Sequence, residues 1–525
     1  MTKDIELNPY DETPYQSYPY AQSSPEKLAT LGTLFGMTPP KIETARVLEL
    51  GCAEGGNIIP HAVHYPKGKY VGVDLSKVQI DAGLANIKAL GLKNIELKHC
   101  SITDIDESFG KFDYIICHGV LSWVPEFVRE KIFEISSKNL TENGVAYISY
   151  NTLPGWNMVR TIRDMMMYHS KGFANPNDKV AQSRALLDFV KDSLEGSDAP
   201  YAKVLFQEAE LLAKQGDHYL RHDHLEDENK QFYFNEFMTE AAKNNMQYLS
   251  DCSLASMYLG NMGAGVAEKL KNLNDIVRTE QYMDFITNRR FRSTLICHNN
   301  VKLNRSLNND DVKKFALSLD VTAEKELSTV NLESNESLKF FFKGNKDQHI
   351  SSTSPWLKAI FYVFIENKGY PLSFKAIIDK ANKKFNTNRA AQIEMDLLNN
   401  AMNLIIKGYI EISLHERDKD KIKLDKPALS SLVSHQVNMP DTTWVTNIAH
   451  EPIAINFFDK FALKYMNGKN SKEQILDHLV EEAKNGQITL NKDSSKIEDA
   501  EQIKKELSTH LDHTIDKLSM QGLLK

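Results

Sequence analysis

The chain predicts an α/β sheet domain, followed by a mainly helical middle region and a C-terminal region of winged-helix-like units. Three observations carry that prediction. Between residues 47 and 150, short β-branched and aromatic runs alternate with helical patterns, the signature of a sheet with crossover helices. From 160 to 300 the alternation gives way to long, mostly helical stretches rich in Met, Tyr and charge. From Pro355 onward the order is helix, helix, helix, ribbon, and a similar order recurs between 455 and 525. The chain therefore divides into 1–165, 166–345 and 346–525.

The candidate strands of the first part are "RVLEL", "YVGVD", "IELKHC", "FDYIICH" and "GVAYISY". Between the second and third, "SKVQIDAGLANIKALG" opens on a Ser76 cap and closes on Gly91, so both helix ends are marked. Between the fourth and fifth, "VPEFVREKIFEISSKNLTENG" has Pro125 early, an apolar stripe at Phe127, Ile132, Phe133 and Ile135, and Gly144 after its end. A polar stretch from 305 to 350 reads as loops and edge strands at a boundary. Beyond it, "PWLKAIFYVFIENKG", "SFKAIIDKANKKF" and "AAQIEMDLLNNAMNLIIKG" are helices, and "YIEISLHERDKDKIKL" is the expected ribbon. "HTIDKLSMQGLL" near the C-terminus parallels "NNAMNLIIKGYI", so two winged-helix-like units are expected.

With 525 residues, 42% of them hydrophobic, the chain has material for two to four packed domains. A net charge of −7 gives no global attraction to nucleic acid or to an anionic membrane. The helix placed for recognition carries only Lys407, with Arg389 at its start, and lacks the basic face that phosphate contact demands. Nucleic acid is therefore not the expected partner. Five cysteines, odd in number and without a C-x-x-C pair, indicate reduced thiols and a cytoplasmic setting. The first forty residues carry Asp4, Glu6, Asp11 and Glu12 and no apolar stretch of signal-peptide length, so neither export nor membrane insertion is expected.

The segment "VLELGCAEGG" puts a glycine turn after the first strand, facing the crevice where α/β sheets hold their ligands. A dinucleotide site needs a bare second glycine for the pyrophosphate, yet Ala53 stands there. Glu49, just before the turn, would repel phosphate and attract an ammonium or sulfonium. Asp74 ends the second strand twenty-five residues after Glu49, with Leu75 beside it, where an acid accepts ribose hydroxyls. "CSITD" puts Ser101 and Ile102 where an adenine would lie. A cationic amino-acid tail, a ribose and an adenine without phosphate describe S-adenosylmethionine, held by Glu49, Gly51, Cys52, Ala53, Asn57, Asp74, Leu75, Ser101 and Ile102.

These residues resemble motif I and its successors in class I S-adenosylmethionine-dependent methyltransferases, whose sheet domain is Rossmann-like. The likeness covers residues 45 to 150. The phrases "NPYDETPYQSYPYAQSSPEKLATLGTLFGM", "CHGVLSWVP", "YISYNTLPGW", "HDHLEDENKQFYFNEF" and "FRSTLICH" extend it. Together they resemble methyltransferases with a regulatory-type middle domain, in particular the rickettsial lysine methyltransferases that modify outer membrane protein B. That resemblance implies a cytoplasmic homodimer that methylates lysines of a large surface protein before export, working at a central cavity between the sheet domain and the added domains. It makes 1–165 the cofactor domain with an N-terminal cap and 166–345 the regulatory and dimerisation region.

Acceptor-side candidates follow from strand ends. Trp123 and His118 lie past the fourth strand; Trp123 reads either as a cation–π wall or as a core aromatic, and His118 as a cofactor contact or a structural imidazole. Asn151 and Trp156 follow the fifth strand in "NTLPGW", where the resemblance places acceptors; the other reading is a turn with an anchoring indole. Four tyrosines within "YDETPYQSYPY" suggest an arm folded over the cofactor through Tyr15 or Tyr18, or packed on the outer surface. In "DHYLRHDHLED", His218 and His222 share metal-ligand spacing, but no third ligand follows at a suitable interval, so a polar helix end is expected and no metal. Competing functions are methylation of a small molecule or nucleic acid, and DNA binding by a winged-helix regulator.

Overall fold

Val47, Leu48 and Leu50 are fully buried in strand β1 (Arg46–Leu50), as a parallel strand covered on both faces requires. The computed structural model describes residues 17–525 except 343–346, 368, 441, 493–494 and 498, and describes 218, 491, 492, 495 and 496 by backbone alone. Around β1 lie β2 (Lys69–Asp74), β3 (Ile95–His99), β4 (Phe112–Cys117) and β5 (Leu140–Asn151), all paired in parallel in the order β3-β2-β1-β4-β5. The order reverses between β1 and β4, which opens a crevice at their carboxyl ends.

The sheet does not stop at the fifth strand. β6 (Met246–Asp251) and β7 (Phe291–His298) extend it antiparallel, with β7 against β5 and β6 at the edge. Both come from the middle region, which is mainly helical but also completes the sheet, so a division at residue 165 separates strands of one sheet.

Helix α1 (Pro25–Leu34) starts where Ser24 accepts from the Lys27 amide, and α2 (Ile59–His64) follows the glycine turn. α3 (Lys77–Leu90) has both expected ends: the Ser76 side chain accepts from the Gln79 amide, and Gly91 adopts the left-handed conformation. α4 (Glu126–Lys138) buries Ile132, Phe133 and Ile135, but Phe127, expected in the same stripe, is 62% exposed. Its position at the first turn lies off the buried face and over the mouth of the crevice, where it lines a cavity. α5 (Trp156–Ser170), α6 (Pro176–Leu194) and α7 (Pro200–Ala213) pack together around Ile162, Met166, Leu187, Leu205 and Leu220.

In the C-terminal third, helices Pro355–Asn367, Phe374–Asn382 and Ala390–Ile406 pack on a small antiparallel sheet of Ala316–Leu319, Leu372–Ser373 and Ile410–Ser413. The first of these strands lies upstream of residue 346, so this unit begins inside the stretch read as boundary. The expected ribbon at 409–424 is a single strand, Ile410–Ser413, followed by a 3-10 turn at Lys419–Lys421. Its strand partner comes from 316–319, and the charged remainder "HERDKDK" has no apolar alternation to form a return strand. The last unit has its own core, with Leu463, Ile475, Leu479, Leu507, Leu511 and Leu518 at its centre.

Candidate active site

The turn after β1 is shaped by close approach. Gly51 has φ +72°, and a Cβ there would sit 2.5 Å from Val120 Cγ2. Ala53 is also left-handed, at φ +48°, a conformation costly for a residue with a side chain. Its amide donates to Asp74 Oδ2 at 2.8 Å, which ties the turn to the end of β2, and Asp74 Oδ1 accepts from the Ser76 amide at 2.8 Å. Backbone donors thus help to fix the carboxylate at the end of the strand. The Gly56 amide donates to Ser17 Oγ at 2.9 Å, and a Cβ on Gly56 would lie 2.4 Å from the Ser17 carbonyl oxygen. The N-terminal arm therefore lies directly on the turn.

Glu49 is 3% exposed. Its Oε1 accepts from Asn57 Nδ2 at 2.7 Å, whereas the buried Oε2 has no hydrogen-bond partner among the described residues. Burial pushes this carboxyl up to about 8; the Asn57 hydrogen bond opposes the shift, and the neighbouring Asp74 charge adds to it. A buried carboxylate with an open acceptor, beside a second carboxylate, suits a cation and repels a phosphate.

Glu49, Gly51, Cys52, Ala53, Asn57, Asp74, Leu75, Ser101, Ile102, His118, Trp123, Asn151 and Trp156 line one cavity of about 880 Å³, a size typical of cofactor sites. Tyr15 lies outside the described residues. Tyr18 is not in the lining: its ring packs on Trp444 at a centroid distance of 4.9 Å. Tyr20 lines the cavity in its place, 3.8 Å from the His118 ring. His118 Nδ1 lies 2.8 Å from the Tyr147 hydroxyl, and burial lowers its pKa to about 4, so the imidazole is neutral. Ser101 caps a short turn by accepting from the Thr103 amide at 3.2 Å. Asn151 is buried, and its Nδ2 has no hydrogen-bond partner among the described residues, a donor that could serve a ligand. Trp123 and Trp156 meet edge to face at 6.0 Å.

Sequence reasoning missed the opposite wall. A π-helical turn at Leu220–His224 brings Tyr219, His222, Asp223 and His224 into the same cavity, and such turns recur at functional sites. His224 is 1% exposed, neither of its ring nitrogens has a hydrogen-bond partner among the described residues, and its ring lies nearly parallel to Trp156 at 6.2 Å. Burial lowers its pKa to about 4 and raises that of Asp223 to about 7. Arg290, paired with Glu208 at 3.0 Å, and Phe291 from β7 complete this wall. The phrase "HDHLEDENKQFYFNEF" entered only as part of a resemblance, and helical spacing framed the histidine cluster as a metal question; among the described residues no group of three or more His, Cys, Asp or Glu could hold a metal.

The cavity has a carboxylate-bearing end at β1 and β2 and an aromatic end at Trp123, Trp156 and His224. Fold and site together define an S-adenosylmethionine-dependent methyltransferase. Family models agree: "Methyltransferase domain" matches residues 42–220, "Predicted methyltransferase regulatory domain" 216–298, and "PKMT, C-terminal winged helix domain" 425–523. The solved structure of PKMT2 from Rickettsia typhi in complex with AdoHcy superposes with a TM-score of 0.90 and 38% identity, covering 97% of this chain and 100% of that one. Protein RP789 of Rickettsia prowazekii (strain Madrid E) is 59% identical over 98% of this chain and 94% of its own length. RP028 of the same organism is 48% identical over 47% of this chain and its entire own length. The chain belongs to the family of the rickettsial PKMT proteins.

Proposed function

We propose that the protein is a cytoplasmic protein-lysine N-methyltransferase, a homodimer, which modifies lysine side chains of a large outer-membrane surface protein resembling outer membrane protein B before export. The carrying observation is the two-ended cavity: acids that suit an adenosyl amino acid lie at one end, and aromatic walls that suit an alkylammonium lie at the other. The likeness to PKMT2 supports the lysine reading. S-adenosylmethionine supplies a methyl group on a sulfonium.

In this reading Asp74 accepts from the ribose hydroxyls, Glu49 Oε2 faces the amino-acid ammonium, and Ser101 and Ile102 border the adenine. Trp123 and Trp156 offer π faces to the incoming amine, each contributing roughly 0.5–2 kcal/mol of cation–π attraction. A lysine amine ordinarily holds its proton up to a pKa of about 10.4. Burial against the aromatic walls strips water from it and favours the neutral form. Neutral His224 and Asn151 Nδ2 then offer an acceptor and a donor with which to orient it. A second cavity of about 1360 Å³ between the sheet and the C-terminal region shares Phe291 with this one and gives a protein segment room to approach. No helix among the described residues is long and apolar enough to cross a membrane.

The test is incubation with radiolabelled S-adenosylmethionine and unfolded fragments of the outer-membrane protein, followed by mass mapping. Label on lysine side chains is expected; label confined to nucleic acid or small molecules in parallel incubations would reject the lysine assignment.

A further inference from the structure

A buried imidazole of the C-terminal domain reaches the cofactor turn. His450 sits in the loop joining the strands Trp444–Thr446 and Pro452–Ala454, 4% exposed and left-handed at φ +64°. A non-glycine residue in that conformation is held there by its surroundings. Asn447 closes the loop, its side-chain Oδ1 accepting from the Glu451 amide at 2.8 Å. The His450 ring stacks on His61 of α2 at 3.9 Å, and Nε2 lies 2.8 Å from Asn57 Oδ1.

The direction of this hydrogen bond is fixed. Asn57 Oδ1 accepts from the Tyr20 backbone amide at 2.9 Å, and a backbone amide only donates. The other atom of the Asn57 amide, Nδ2, therefore points to Glu49 Oε1 at 2.7 Å and donates. His450 must carry its proton on Nε2. Burial, with His61 and His64 nearby, holds its pKa well below the usual histidine range, so the ring is neutral, and Nδ1 has no hydrogen-bond partner among the described residues. The path His450 to Asn57 to Glu49 has one polarity and ends at the carboxylate with the open acceptor.

We propose that His450 is a positioning residue of the cofactor site: acting through Asn57, it orients the Glu49 carboxylate toward the amino-acid end of the cofactor, so that the C-terminal domain takes part in cofactor binding. This rests on the reading of Glu49 given above.

The test is calorimetric binding to the full-length protein with two ligands, S-adenosylhomocysteine and 5′-methylthioadenosine, which lacks the amino-acid tail. His450→Ala weakens S-adenosylhomocysteine by about tenfold, the order expected for one misplaced charge-assisted hydrogen bond, and changes methylthioadenosine less than about twofold. His450→Gln, whose amide nitrogen reaches the Nε2 position, restores binding, and His450→Asn does not. Equal loss for both ligands would make His450 merely structural and overturn the proposal. Full S-adenosylhomocysteine affinity in His450→Ala, with a loss in Glu49→Gln, would overturn the relay alone; full affinity in Glu49→Gln would remove the carboxylate's role, and the relay with it. Melting curves monitor folding. If His450→Ala does not fold, the Gln and Asn variants decide: equal affinity in the two overturns the relay.

Discussion

In the proposed reading, Asp74 and Glu49 divide the recognition of one ligand between a hydroxyl-reading carboxylate and a cation-reading one. Asp74→Ala is expected to weaken S-adenosylhomocysteine by well over tenfold in calorimetry, since it removes ribose acceptors and also frees the Ala53 amide that holds the turn. Glu49 gives a pH prediction. Its folded pKa, about 8, lies above the ordinary carboxylate value, so in the free protein the protonated form dominates at neutral pH. An ammonium ligand favours the ionised form, so binding at pH 6.5 releases a proton and affinity rises from pH 6 towards 8. Calorimetry in buffers of different ionisation enthalpy measures that proton, and Glu49→Gln abolishes it. The same shift makes the free protein lose stability as pH climbs from the ordinary carboxylate range through about 8, a slope that Glu49→Gln flattens. On the aromatic side, Trp123→Ala is expected to cut turnover more than cofactor affinity; equal losses accompanied by a lower melting temperature would mark it as a core aromatic instead. That these strand-end residues share one cavity was legible because chain order alone puts them at the crevice. Tyr20, Asn57's partners and His224 were not, because a residue's neighbours across the fold leave no trace in spacing.

Helices with punctuated ends were also legible: Ser76 and Gly91 bound α3 as expected, since capping is local chemistry. Where local signals compete with distant ones, the reading failed. "FRSTLICH" alternates too weakly to announce a strand within a helical region, and pairing with β5 and β6 on both sides stabilises β7 there. The histidine-rich turn reads as one end of an ordinary helix, yet forms a π turn that rotates His222 and His224 inward. The N-terminal arm yields a prediction of its own. Because a Cβ on Gly56 would meet the Ser17 carbonyl at 2.4 Å, Gly56→Ala should displace the arm. Weaker S-adenosylhomocysteine binding and faster proteolysis near residues 17–24 are the expected readouts; an unchanged cleavage pattern would show that the turn gives way instead.

The arrangement of the units joins what the sequence lists separately. One apolar core runs from α1 and the sheet into the helices at 355–406, whereas the last unit keeps its own core and meets the cofactor region through contacts that include His450 with Asn57 and Tyr18 with Trp444. Patterning along the chain identifies such units but not what they touch. The position of β7 has a further consequence for biosynthesis. Its pairing closes the open side of β5, yet it lies 140 residues downstream of that strand's last residue, Asn151. During translation the ribosome must release nearly 300 residues before that flank is capped, and until then a half-built sheet offers an uncovered strand to any neighbouring nascent chain. Slowing synthesis just before residue 291 should therefore raise the fraction lost to aggregation, and early holdase protection should recover it.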